Sequence, residues 1–91
     1  MTSKKKRNEL LSLNSDAIVL PATYDSAMIG YVDAFQESVI AVYSVNKVLE
    51  ALSNELGKEY DDEDVAEYFT YNIKGSYLGE FTPLFLYEWE E

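Results

Sequence analysis

The strongest constraint on the fold is an amphipathic segment at residues 44–57. Its apolar side chains recur at helical spacing and form one stripe, which comprises Val45, Val48, Leu49, Leu52 and Leu56. The Ser44 hydroxyl can accept a hydrogen bond from a backbone N–H that has no other partner at a helix start. Gly57 stands where many helices end in a left-handed residue. The sequence therefore predicts a helix over residues 44–56 with one buried face.

A second helix is predicted directly after the first, at residues 62–74. Asp61 or Asp62 can cap its start, and the acidic residues that follow place negative charge at the positive end of the helix dipole. Its inner face is formed by Val65, Ala66, Phe69 and Ile73. Because only residues 58–60 separate the two helices beyond their cap residues, they should pack as a tight helical hairpin.

Two strands are predicted upstream of the helices. Residues 39–43 are apolar at every position, which is typical of a central strand with both faces covered. Residues 29–35 can form its hairpin partner, with the turn near Gln36 and Glu37. The alternative is a helix over residues 25–35.

That alternative rests on Met28, Tyr31, Val32 and Phe35, which also fit the helical period. Gly30 weakens the helix. The sequence therefore favours a helical turn at residues 25–28 followed by a strand.

The last strand is predicted at residues 83–89, where the side chains alternate. Leu84, Leu86 and Glu88 face one way, and Phe85, Tyr87 and Trp89 face the other. Together these elements predict an α+β fold, a small antiparallel sheet of about three strands packed by the two-helix hairpin. The second face of such a sheet stays partly open.

The basic N-terminus and the rest of the chain are predicted to behave differently. Four of the seven cations lie at residues 4–7. We expect residues 1–8 to form a disordered basic tail. Residues 9–91 should form a single α+β domain, since 91 residues suffice for one modest core.

The amino-acid composition excludes several common catalytic and metal-binding groups. The chain has no Cys and no His, so it lacks thiol nucleophiles, the commonest general base and the commonest metal ligand. The acidic run at residues 59–64 invites a cation-site interpretation, but it has no Gly at a bend and its spacing fits helix capping. We expect no enzymatic activity, no metal site and no cofactor.

The net charge of the chain limits the classes of molecule that it is expected to bind. Residues 8–91 carry three lysines against all 17 acidic residues. Such a body repels nucleic acid and anionic membranes, so neither is an expected partner of the folded part. A basic protein partner is expected instead. With no apolar run long enough to span a bilayer, a cytoplasmic location is predicted.

Two groups of residues are candidates for partner binding. The first is the aromatic set on one face of the last strand, namely Phe85, Tyr87 and Trp89, because aromatic side chains are enriched at interfaces. The alternative is that this face forms the core and that Leu84 and Leu86 are exposed. The second group is the acidic run Asp61, Asp62, Glu63 and Asp64.

The chain also resembles a group of small uncharacterised proteins encoded by tailed phages and some bacteria. The resembling segments lie at residues 25–31, 39–43, 67–75 and 79–83, and together span most of the chain. No established activity accompanies the group, so the resemblance implies a phage setting, with the host cytoplasm as the location, and no site residues.

The sequence thus predicts a small acidic accessory protein that works by protein–protein binding. One alternative is a nucleic-acid mimic that inhibits a host nucleic-acid-binding protein, its carboxylates taking the places of phosphates. The other is a homo-oligomeric structural or assembly protein.

Overall fold

The protein is an α+β domain with one three-stranded sheet. The computed structural model describes residues 2–34, 38–75 and 79–89. In chain order the elements are α1 (Ser3–Leu13), a 3₁₀ helix (Ala22–Ala27), β1 (Met28–Asp33), β2 (Val39–Ser44), α2 (Val45–Leu56), α3 (Asp62–Tyr68), a π-helix (Phe69–Lys74) and β3 (Leu84–Leu86). The predicted fold class is confirmed.

The sheet has the order β1-β2-β3, so β2 is the central strand. β1 and β2 are antiparallel, which confirms the predicted hairpin and resolves the choice at residues 25–35 in favour of a strand preceded by a helical turn. The predicted turn at Gln36 and Glu37 lies outside the described residues.

The expectation of an all-antiparallel sheet is wrong, because β3 runs parallel to β2. Leu84 pairs with Val42 and Leu86 with Ser44. A parallel neighbour needs a long crossover connection, and here the helical hairpin supplies it. β3 is also shorter than the strand predicted at residues 83–89, since only three residues pair with β2.

The helical hairpin is confirmed. Ser44 caps α2, its hydroxyl accepting from the Lys47 N–H at 3.3 Å. Asp61 caps α3 and forms a capping box with Asp64. The second helix then widens into the π-helix, and the Gly75 N–H donates to the Thr70 carbonyl five residues back, at 3.2 Å.

The core lies between one face of the sheet and the helices. β2 contributes Val39, Ala41 and Tyr43 to it, while Ile40 and Val42 point the other way. The main contributions from the helices are Leu10, Val48, Leu52, Val65, Phe69 and Ile73. The sheet is therefore covered on one side by the core cluster.

The N-terminus differs from the disordered tail expected at residues 1–8, because α1 begins at Ser3. Thr2 caps α1 by accepting from the Lys5 N–H. Lys6 donates to the Met28 carbonyl at 2.7 Å, and Arg7 reaches Asp25. These basic side chains thus have partners that are distant in sequence, which local charge alone does not reveal.

Candidate functional site

The exposed side chains on the sheet face that points away from the core are apolar on both edge strands. Residues paired across neighbouring strands share a face, so the register groups Gly30, Val32, Ile40, Val42, Ser44, Leu84 and Leu86. We call these seven residues the outer sheet face. None of them is charged, none belongs to the core cluster, and Ser44, the one polar residue among them, is fully buried.

Exposure on the outer sheet face is high at its two edges. Val32 on β1 is 39% exposed, and Leu84 and Leu86 on β3 are 49% and 47% exposed. At the centre, Ile40 is buried and Val42 is half-buried. An open sheet face usually alternates to polar side chains, so this apolar composition is typical of a surface that another molecule covers.

Gly30 makes a notch in this face. It lies opposite Val42, which in turn pairs with Leu84, so the three positions form a row across the sheet. A Cβ atom at Gly30 would meet no atom within 4 Å, and the backbone there does not need a glycine conformation. Glycine weakens a strand interior and often marks a place where another molecule approaches closely.

The predicted aromatic set is split by the structure. Phe85 packs into the core, with its ring centroid 6.1 Å from that of Tyr43 and 5.3 Å from that of Phe69. Tyr87 and Trp89 are 61% and 97% exposed. Lys74 covers part of Tyr87, its Nζ lying 5.1 Å from the ring centroid. Phe85 is therefore half-buried against the core cluster, and the exposed side chains of this segment include Leu84 and Leu86.

The acidic run lies at the start of α3. Asp61 and Asp64 are engaged in the capping box, and Asp62 and Glu63 are exposed in the first turn. The run and Lys74 lie at opposite ends of the second helix, roughly 15–20 Å apart. The acidic run and Tyr87, which contacts Lys74, are thus not brought together. Within the described ranges, no three carboxylates converge as a metal site would require.

Sequence reasoning missed a groove on the outward side of α3. Its lining comprises Glu59, Tyr60, Asp64, Glu67, Tyr68, Tyr71 and Asn72, and its volume is about 460 Å³. We call it the tyrosine groove. The signal was present in the sequence, because Asp64, Glu67, Tyr68 and Tyr71 recur at positions i, i+3, i+4 and i+7 and so share one helix face.

Comparison of the chain with protein-family models, curated proteins and solved structures gives no match. The resemblance to phage proteins stays a prediction. In the parts of the chain that the structure describes, no helix has the length and apolarity needed to cross a bilayer.

Proposed function

We propose that this protein is a non-enzymatic binding domain and that its partner is a basic protein, which covers the outer sheet face. The observation that carries the proposal is the composition of that face: seven uncharged residues, of which only the fully buried Ser44 is polar, on a chain with 17 acidic residues.

The hydrophobic effect favours a covered face. Val32, Leu84 and Leu86 each expose more than a third of their surface. Removing apolar surface from water contributes about 25 cal/mol per Å². The notch at Gly30 lets a partner side chain approach the sheet closely, which improves packing at the centre of the contact.

Charge favours a basic partner over a second copy. Each chain carries a formal net charge of −10, so two copies repel as they approach. A basic protein is instead attracted, and electrostatic steering raises its association rate.

The placement of the acidic residues gives less support to nucleic-acid mimicry. Exposed carboxylates lie on α1, β1, α2 and α3 and in the segments that join them. A mimic needs its carboxylates in rows on one face, at phosphate-like separations. The apolar outer sheet face therefore supports protein binding better than it supports mimicry.

Site-specific photo-crosslinking tests the proposal. A benzophenone amino acid replaces Leu84 on the outer sheet face or, as a control, exposed Glu50 on α2. Each protein is irradiated in a cell lysate of its source or host, and the adducts are identified by mass spectrometry. We expect one basic protein to crosslink from position 84 and not from position 50, and the yield to fall at about 0.5 M salt.

The substitution Gly30→Lys sharpens the test, because it adds bulk and positive charge to the notch at a position where a Cβ atom meets no atom within 4 Å. It should abolish the position-84 adduct without lowering the thermal unfolding midpoint. Adducts only with a second copy would overturn the proposal in favour of self-association. Equal crosslinking from positions 84 and 50, or none from position 84, would also overturn it.

A further inference from the structure

We propose that the tyrosine groove binds arginine side chains of the basic partner. The inference rests on the proposed function, because it assumes a partner that carries positive charge. It adds a second contact surface, on α3, and names the side chain that this surface recognises.

The charge of the groove selects a cation. Among the described residues, its ionisable carboxyl groups belong to Glu59, Asp64 and Glu67, and no described lysine or arginine lines it. Asp64 is partly used, since its Oδ2 accepts from the Asp61 N–H at 3.4 Å. Glu59 and Glu67 are exposed and make no hydrogen bond or ion pair within the described residues, so both can accept from a bound guanidinium group.

The aromatic rings of the groove add a second attraction. Tyr60, Tyr68 and Tyr71 are 44%, 39% and 77% exposed, and they contribute nothing to the core cluster. A cation over an exposed tyrosine ring is attracted by the ring quadrupole. A surface that combines exposed rings with carboxylates therefore binds cationic side chains more strongly than carboxylates alone.

The π-helix is an independent feature of the same place. The Gly75 N–H to Thr70 carbonyl bond marks an i to i+5 turn, which is rare and is associated with functional sites. Within this element, Phe69 and Ile73 are buried in the core. Tyr71 and Asn72 lie between them in sequence and line the groove. The π-helix thus joins the core to the groove.

Arginine fits this surface better than lysine. The guanidinium group is planar and stacks on aromatic rings, and its fork of N–H donors matches carboxylate oxygens. The lysine ammonium group is a compact, strongly hydrated point charge. The groove should therefore discriminate between two peptides of equal charge.

Fluorescence anisotropy with the full chain tests the inference, using labelled nona-arginine and nona-lysine peptides as probes. We expect nona-arginine to bind about three- to tenfold more tightly than nona-lysine at about 50 mM salt. The substitution Tyr71→Ala should weaken nona-arginine binding about threefold or more and leave nona-lysine nearly unchanged. Since Tyr71 is exposed, the variant should keep its unfolding midpoint.

A matched pair of variants distinguishes arginine binding in the groove from a general effect of the chain's negative charge. Glu67→Gln removes a carboxylate that lines the groove, and Glu50→Gln removes one on α2 outside it. Glu67→Gln should weaken nona-arginine binding more than Glu50→Gln does. Equal effects of the two variants, equal affinity for the two peptides, or no effect of Tyr71→Ala would each overturn the inference.

The experiments can contradict one proposal without the other. If the position-84 adduct persists while the groove shows no arginine preference, only the proposal of arginine binding is contradicted. If the groove prefers arginine while position 84 gives no adduct, the outer sheet face is the part that fails.

Discussion

Gly30 lies directly opposite Val42 on the outer sheet face, and a Cβ atom at Gly30 would have no neighbour within 4 Å. Gly57 after α2 differs, because its φ of +89° falls where side chains are strained. The backbone thus favours glycine at position 57 but does not require it at position 30.

The two glycines give a matched prediction on stability. Gly30→Ala should raise the free energy of unfolding by about 0.5–1 kcal/mol, because it reduces the entropy of the unfolded chain. Gly57→Ala should lower it by about 1–3 kcal/mol, because the backbone at φ +89° and ψ −176° lies in a region that is essentially restricted to glycine. Urea unfolding monitored by circular dichroism measures both. A clear loss of stability in Gly30→Ala would show that the notch is not open.

The ion pair between Arg7 and Asp25 should anchor α1. The Arg7 Nη1 atom lies 2.8 Å from the Asp25 Oδ1 atom and also donates to the Leu20 carbonyl at 2.8 Å. Arg7→Gln leaves the buried Asp25 carboxylate without its cation, which should cost about 2–3 kcal/mol. This is below the range for fully buried pairs because the Arg7 side chain is 27% exposed.

The control for this prediction is Lys4→Gln, which removes the same charge from the same helix at an exposed position. It should change the free energy of unfolding by less than about 0.5 kcal/mol. If the two variants lose equal stability, the basic residues of α1 act through net charge and not through the ion pair.

The Tyr43 hydroxyl should stabilise the segment before the 3₁₀ helix. Tyr43 is fully buried in β2, and its oxygen accepts from the Leu20 N–H at 3.0 Å. Tyr43→Phe leaves that buried N–H without this acceptor, at a cost of about 1–3 kcal/mol. Hydrogen exchange of the Leu20 amide should accelerate as well. Tyr71→Phe is the exposed control, and a loss of equal size there would contradict this explanation.

The helical hairpin could be predicted from sequence because its signals are local. The stripe of α2, its Ser44 cap and the Asp61 cap of α3 all lie within a few residues of the structure they specify. Hydrophobic periodicity and capping are properties of one segment, so no knowledge of distant contacts is needed.

The parallel direction of β3 and the order of α1 depend on distant contacts. The alternation around Phe85 predicts a strand. The direction in which that strand pairs depends on where the connection through α2 and α3 places the chain relative to β2. The basic residues at positions 6 and 7 find acceptors at Met28, Leu20 and Asp25. A charge run of this kind gives no sign of such partners.

The candidate site was predictable only in part. The alternation at residues 84–89 left either Phe85 or the leucines as the exposed side, and the contact of Phe85 with Tyr43 and Phe69 decides this in favour of exposed leucines. The outer sheet face needs the register of three strands, which the sequence does not specify. The residues of the tyrosine groove on α3 could be recognised in the sequence by their helical spacing. Glu59 and Tyr60, which also line the groove, precede the helix and are not part of that pattern.

The Ser44 hydroxyl connects the start of α2 to the chain after β3. It accepts from the Lys47 N–H as the helix cap and donates to the Glu88 carboxylate. Ser44 is fully buried, whereas Glu88 is exposed. Ser44→Ala removes both bonds and should lower the free energy of unfolding by about 1–2 kcal/mol.

A double-mutant cycle isolates the bond between Ser44 and Glu88. Glu88→Ala should cost less than Ser44→Ala, because it leaves the cap to Lys47 in place. In the Ser44→Ala background Glu88→Ala should have almost no further effect, which gives a coupling energy of about 0.5–1 kcal/mol. Exposed Glu80 supplies the control. The changes in the free energy of unfolding caused by Glu80→Ala and Ser44→Ala should be additive. Additive effects of Ser44→Ala and Glu88→Ala would mean that the bond between Ser44 and Glu88 does not stabilise the protein.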